Sequence, residues 1–64
     1  MKDYQERVIA ERKELNNKIV SLNNFLYSDL SINLTFRERD LMKDQLQIMM
    51  QYSSIIMERI NNFV

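Results

Sequence analysis

Neither glycine nor proline occurs anywhere in the 64 residues, although together these two types normally make up roughly a tenth of a chain. Tight strand-to-strand turns draw on glycine or asparagine at positive φ, so a sheet built from short hairpins is disfavoured. Uninterrupted helices joined by one connection suit such a chain best. A domain of this length buries only about 60% of the surface its unfolded chain exposes, and usually needs a staple. Cysteine and histidine are both absent, which removes disulfides, thiolate metal sites and the commonest transition-metal ligand. Association with copies of itself is the remaining route to a complete core.

Nine basic and nine acidic residues cancel, so the field that would gather a nucleic-acid polymer is missing, while a small anionic ligand is still admissible. No apolar run approaches the roughly 20 residues of a membrane span, and the first residues are charged where a secretion signal would be apolar. The expectation is a cytoplasmic protein, with no membrane and no nucleic-acid polymer among its partners.

Apolar residues recur at helical spacing over residues 2–26: Tyr4, Val8, Leu15, Ile19, Leu22, Phe25 and Leu26. Val8, Leu15 and Leu22 fall seven residues apart, a seam for a second helix lying alongside. A second helix is predicted over residues 35–62, opened by Thr35 with Glu38 three residues later, the pattern of a capping box. Its apolar positions form two sets. Met42, Leu46, Met49, Ile56, Ile60 and Phe63 suit a face turned to the first helix; Leu41, Ile48, Tyr52 and Ile55 lie on an adjoining face. One partner helix covers one side only, so the second face predicts a subunit interface. In the link, residues 27–34, Leu30, Ile32 and Leu34 alternate with polar residues, which predicts a short extended segment pinned to the end of the hairpin, with room for a single turn beginning at Ser28. The whole chain, residues 1–64, reads as one all-α domain: a two-helix antiparallel hairpin that assembles into a helical-bundle homo-oligomer.

Candidate chemistry is sparse. Without His or Cys, the usual general base and the usual soft nucleophile are missing, and the carboxylate pairs Asp3 with Glu6, Glu11 with Glu14, and Asp40 with Asp44 are interleaved with Lys and Arg as on a solvated face. No catalytic residue, metal ligand or cofactor is assigned. Asn16 and Asn23 repeat at seven residues, either as a wet surface or as a device that fixes register. Tyr4 stands one turn from Arg7. Spacing alone makes it a packing residue; its other reading is a ring on which a base stacks while the cation takes a phosphate. Arg59, set among Ile55, Ile56 and Ile60, calls for a carboxylate partner or an anionic ligand.

The run Tyr4-Gln5-Glu6-Arg7-Val8, followed by Glu14-Leu15, Lys18-Ile19, Leu22 and Phe25-Leu26, resembles a family of small phage proteins, the anti-CBASS cyclic-oligonucleotide sponges. The likeness resumes at Leu34-Thr35, Leu41-Met42, Gln45-Leu46, Met49, Tyr52, Arg59-Ile60 and Phe63. The sharper parts are the Tyr-Gln-x-Arg opening and the Arg-Ile-x-x-Phe ending. The resemblance implies a helical hairpin assembled into compact oligomers, hexamers in the sponge family, that hold cyclic di- and trinucleotides intact in pockets between protomers. At matching positions it implies Tyr4 as the stacking aromatic, with Lys18 and Arg59 as cations facing phosphate. Arg7, on the polar side of the first helix, is a further cation at such an interface.

Taken with that resemblance, the expectation is a non-enzymatic phage immune-evasion protein, acting in the host bacterial cytosol, that binds and sequesters cyclic oligonucleotide second messengers at subunit interfaces through Tyr4, Arg7, Lys18 and Arg59. Its rival is a structural or adaptor oligomer that docks a host or phage protein on the second apolar face.

Overall fold

The first helix starts because its entrance is capped from within. In the computed structural model, which describes residues 2–63, the Lys2 N–H donates to Gln5 Oε1 at 3.1 Å, and Asp3 and Glu6 place negative charge against the exposed N–H groups of the first turn. Helix α1 then runs over Asp3–Leu26. It stops where side chains offer the backbone an alternative: Ser28 Oγ donates to the Phe25 carbonyl at 2.7 Å, one of the carbonyls a helix end leaves without a partner.

The link departs from the extended form the alternation suggests and takes instead the single turn expected to begin at Ser28. Asp29–Asn33 forms a turn of 3-10 helix, and the reason lies in its serines. Ser31 is buried, and its hydroxyl reaches the carbonyls of Leu26 at 3.0 Å and Ser28 at 2.8 Å, which curls the segment back on the end of α1. Arg39 then donates through Nη2 to the Ser31 carbonyl at 2.6 Å, tying the turn to the next helix. The expected apolar pinning fails for two of its three residues, since Leu30 and Ile32 are exposed and only Leu34 is half-buried.

Helix α2 spans Phe36–Asn61 and opens on Thr35, whose Oγ1 accepts from the Glu38 N–H at 3.1 Å. Such a cap contributes about 1 kcal/mol. Among the described residues the fold is all-helical, with no strand. The molecule measures 47 × 15 × 13 Å with a Cα radius of gyration of 14.7 Å. A compact domain of this length would have a radius of about 11 Å, so this is a rod with little interior.

Val8 and Leu15 from the seven-residue seam are buried together with Ile56, and Ile19, Met49, Ile60 and Phe63 pack around them. The inward set expected on α2 is buried or half-buried throughout, from Met42 to Phe63. Leu41, Ile48, Tyr52 and Ile55, the adjoining set, are all exposed in the single chain. A polar layer interrupts the seam at mid-length: buried Ser53 donates through Oγ to Asn16 Oδ1 at 2.6 Å, and Arg12 Nε donates to the Ser53 carbonyl at 3.4 Å. Asn16 thus acts on register, but between the two helices of one chain. Sliding one helix past the other would leave the Ser53 hydroxyl buried without its acceptor, which is costly.

Candidate functional site

Tyr4, one residue after the start of α1, meets the other end of the chain. Its ring stands edge-on to Phe63, with centroids 5.9 Å apart and planes at 79°, the favourable geometry for two aromatic quadrupoles. Gln5 Nε2 lies 3.5 Å from the Tyr4 hydroxyl. Even so, 52% of Tyr4 stays exposed. Phe63 provides the packing that the spacing of Tyr4 indicates, and about half of the residue's surface is left open.

Arg7 follows Tyr4 by one turn, and Arg59 precedes Phe63 by one turn, so the Tyr4–Phe63 contact gathers both arginines at the same end of the rod. Both are exposed. Lys18 is exposed too, but it lies fourteen residues from Tyr4, about 21 Å along the helix axis at 1.5 Å per residue. One chain sets Tyr4, Arg7 and Arg59 at the same end of the rod and leaves Lys18 apart.

These residues share an edge of the rod. Tyr4, Glu11 and Lys18 repeat at seven residues along α1, and Tyr52 and Arg59 do so along α2. A cross-link joins the two lines, because the Tyr52 hydroxyl donates to Glu11 Oε1. That bond raises the Tyr52 pKa above its ordinary value, with smaller contributions from desolvation and the Glu11 charge, while the Arg59 charge acts the other way. The sign follows from the direction. A raised phenol pKa means that the bond's contribution is whole below the ordinary tyrosine value near 10 and is lost as pH climbs through the higher folded value. In an alkaline titration followed at 295 nm, a component above the ordinary tyrosine range is expected in the wild-type protein and not in Tyr52→Phe. Persistence of that late component in the variant would show that another phenol carries it.

Two concavities lie elsewhere. One, of about 350 Å³, opens near the link and is lined by Asn23, Leu26, Tyr27, Arg39, Lys43 and Leu46. A more open one, of about 280 Å³, is lined by Ile9, Arg12, Lys13, Asn16, Asn17 and Ile60. None of Tyr4, Arg7, Lys18 or Arg59 lines either. Reading the sequence missed the cavity near the link, although a signal was present: Asn23 with Tyr27 and Arg39 with Lys43 are each spaced by four, the helical distance for two side chains on one face.

Among the described residues no group of three or more acidic, His or Cys side chains is placed to hold a metal ion, and no helix is long and apolar enough to cross a membrane. No curated protein and no solved structure matches the chain. A family model does, over residues 2–62: its name is Sequestin, which suggests sequestration. That agrees with the likeness to sequestering phage proteins seen in the residues themselves. With nearly its whole length matched, the chain belongs to the Sequestin family.

Proposed function

We propose that this chain sequesters cyclic di- or trinucleotides, without cleaving them, at interfaces between copies of an antiparallel hairpin, and that it does so as a phage protein in the host cytosol to silence a nucleotide-triggered defence. The observation that carries the reading is the Tyr4 end of the rod: a half-exposed ring set roughly perpendicular to that of Phe63, with the cations Arg7 one turn from Tyr4 and Arg59 one turn from Phe63. A stacking face next to paired cations is what a base with its phosphate requires. Membership in a family named for sequestration supports binding over turnover.

Copies are needed for two reasons. The four candidate residues line neither of the two cavities described above, which favours a pocket closed against a neighbour. Lys18, about 21 Å from Tyr4 along α1, reaches the same ligand only from another copy. A cyclic dinucleotide is close to two-fold symmetric and carries two charges, so an isologous interface would present one tyrosine and its cations to it twice. The exposed line of Leu41, Ile48 and Ile55 supplies apolar surface for such an interface. The same line would equally serve an adaptor that docks another protein, the second reading.

Thermal denaturation against a panel of cyclic di- and trinucleotides separates the two. A ligand at 100 times its Kd adds about 2.7 kcal/mol, and in a domain this small each kcal/mol moves Tm by about 4–8 °C, so the expected shift exceeds 10 °C and the ligand should be recovered unchanged on heating. Tyr4→Ala should remove most of that shift while leaving the oligomer intact. Absence of binding to every panel member at micromolar concentration would leave the adaptor reading standing.

A further inference from the structure

At the opposite end of the rod from Tyr4, the cavity beside the link has the composition of a ligand site. Its polar lining is one amide, Asn23, one phenol, Tyr27, and two cations, Arg39 and Lys43, with Leu26 and Leu46 completing the wall. No carboxylate lines it, in a chain whose acidic and basic residues are equal in number. Its volume of about 350 Å³ falls within the span of small-molecule sites, roughly 300–1,000 Å³.

The parts are held differently, and the difference is informative. Arg39 is half-buried and anchored by its bond to the Ser31 carbonyl at 2.6 Å. A guanidinium carries five donors, so one is spent on holding the link and the rest of the fork remains. Lys43 follows one turn later on α2 and is exposed. Across the cavity, Tyr27 closes α1 with 86% of its surface exposed, one turn after Asn23. An aromatic ring so open is poorly explained by packing. Anchored arginine, exposed lysine, open aromatic ring and amide together match the groups of a nucleotide: phosphate, base face and base edge.

The geometry points to a second binding site at the link, separate from the Tyr4 end, that takes a nucleoside monophosphate unit with its phosphate against Lys43 and Arg39 and its base on Tyr27. It shares with the function proposed above only the chemistry of the ligand, and needs no second copy to form. Asn23 offers a donor and an acceptor to the base edge. The same cavity would therefore accept one nucleotide unit of a larger cyclic molecule.

Titration of the intact, isotope-labelled protein with adenosine monophosphate, guanosine monophosphate and inorganic phosphate, followed by amide NMR shifts, tests this directly. Nucleotide is expected to move the amides of residues 23–27 and 39–46. Lys43→Ala should weaken all three probes, whereas Tyr27→Ala should weaken the nucleotides by roughly tenfold or more and leave inorganic phosphate unchanged. Both positions are exposed, and an unaltered helical circular dichroism spectrum will show that each variant folds. Equal response to phosphate and nucleotide, insensitive to Tyr27→Ala, would overturn the site, as would no response at millimolar nucleotide. Shifts confined to residues 4–7 and 59–63 would overturn it while supporting the Tyr4 reading. Shifts at the link, with cyclic dinucleotide binding indifferent to Tyr4→Ala, would sustain this site and sink the other.

Discussion

Ile56→Ala is expected to unfold this protein, or bring it to the edge of unfolding, at 37 °C. Ile56 is 0% exposed and sits where Val8 and Leu15 of α1 meet α2. Truncating a buried isoleucine to alanine costs about 2–5 kcal/mol, the lost transfer energy plus the cavity left behind. A single core in a chain below about 70 residues rarely supplies more than about 3–5 kcal/mol. The loss is of the same size as the whole, and so few side chains are fully enclosed that little remains to relax into the gap. Circular dichroism at 222 nm should show a melting transition displaced by more than 10 °C, or already under way at room temperature. Ile32→Ala is the matched control: same chemistry, 72% exposed, and an expected effect within about 0.5 kcal/mol. Equal melting of the two variants would mean that the seam does not hold the fold.

That contrast marks what periodicity reveals. The division of α2 into an inward and an adjoining set was legible because a helix converts spacing directly into direction, and Met42, Leu46, Met49, Ile56, Ile60 and Phe63 lie inward as their register requires. Leu30, Ile32 and Leu34 misled for the same reason. Alternation is a strand signal only where the backbone is free to extend, and the Ser28 and Ser31 hydroxyls bind nearby carbonyls and wind the link into a turn. The Ser53–Asn16 bond and the Tyr52–Glu11 bond each join residues about 40 apart in sequence, so no local pattern could announce them. Tyr4 was half legible. Its spacing indicated packing, which Phe63 provides, but the exposed remainder of the ring depends on where the other end of the chain arrives.

If copies associate as proposed, Ile48→Asp combined with Ile55→Asp is expected to dissolve that assembly while leaving the hairpin folded, and it tests the interfacial reading without any ligand. Leu41, Ile48 and Ile55 repeat at seven residues down one line of α2, the spacing of a helix-packing seam, and in the isolated chain Ile48 is 65% exposed and Ile55 57%. Because neither is enclosed by its own chain, replacing them costs the monomer little. In an isologous interface each substitution counts twice. Each isoleucine forfeits burial worth about 1.5–3 kcal/mol, and an unpaired carboxylate placed there adds a desolvation cost, so association should weaken by at least a thousandfold. Sedimentation at low micromolar concentration should then give a 7.8 kDa helical monomer from the double variant and a larger particle from the wild type. If the pocket around Tyr4 closes only between copies, the double variant loses cyclic-nucleotide stabilisation although Tyr4, Arg7, Lys18 and Arg59 are all intact. If the wild type itself sediments as a folded monomer, the line is open for a different partner, and an interfacial pocket loses its physical basis.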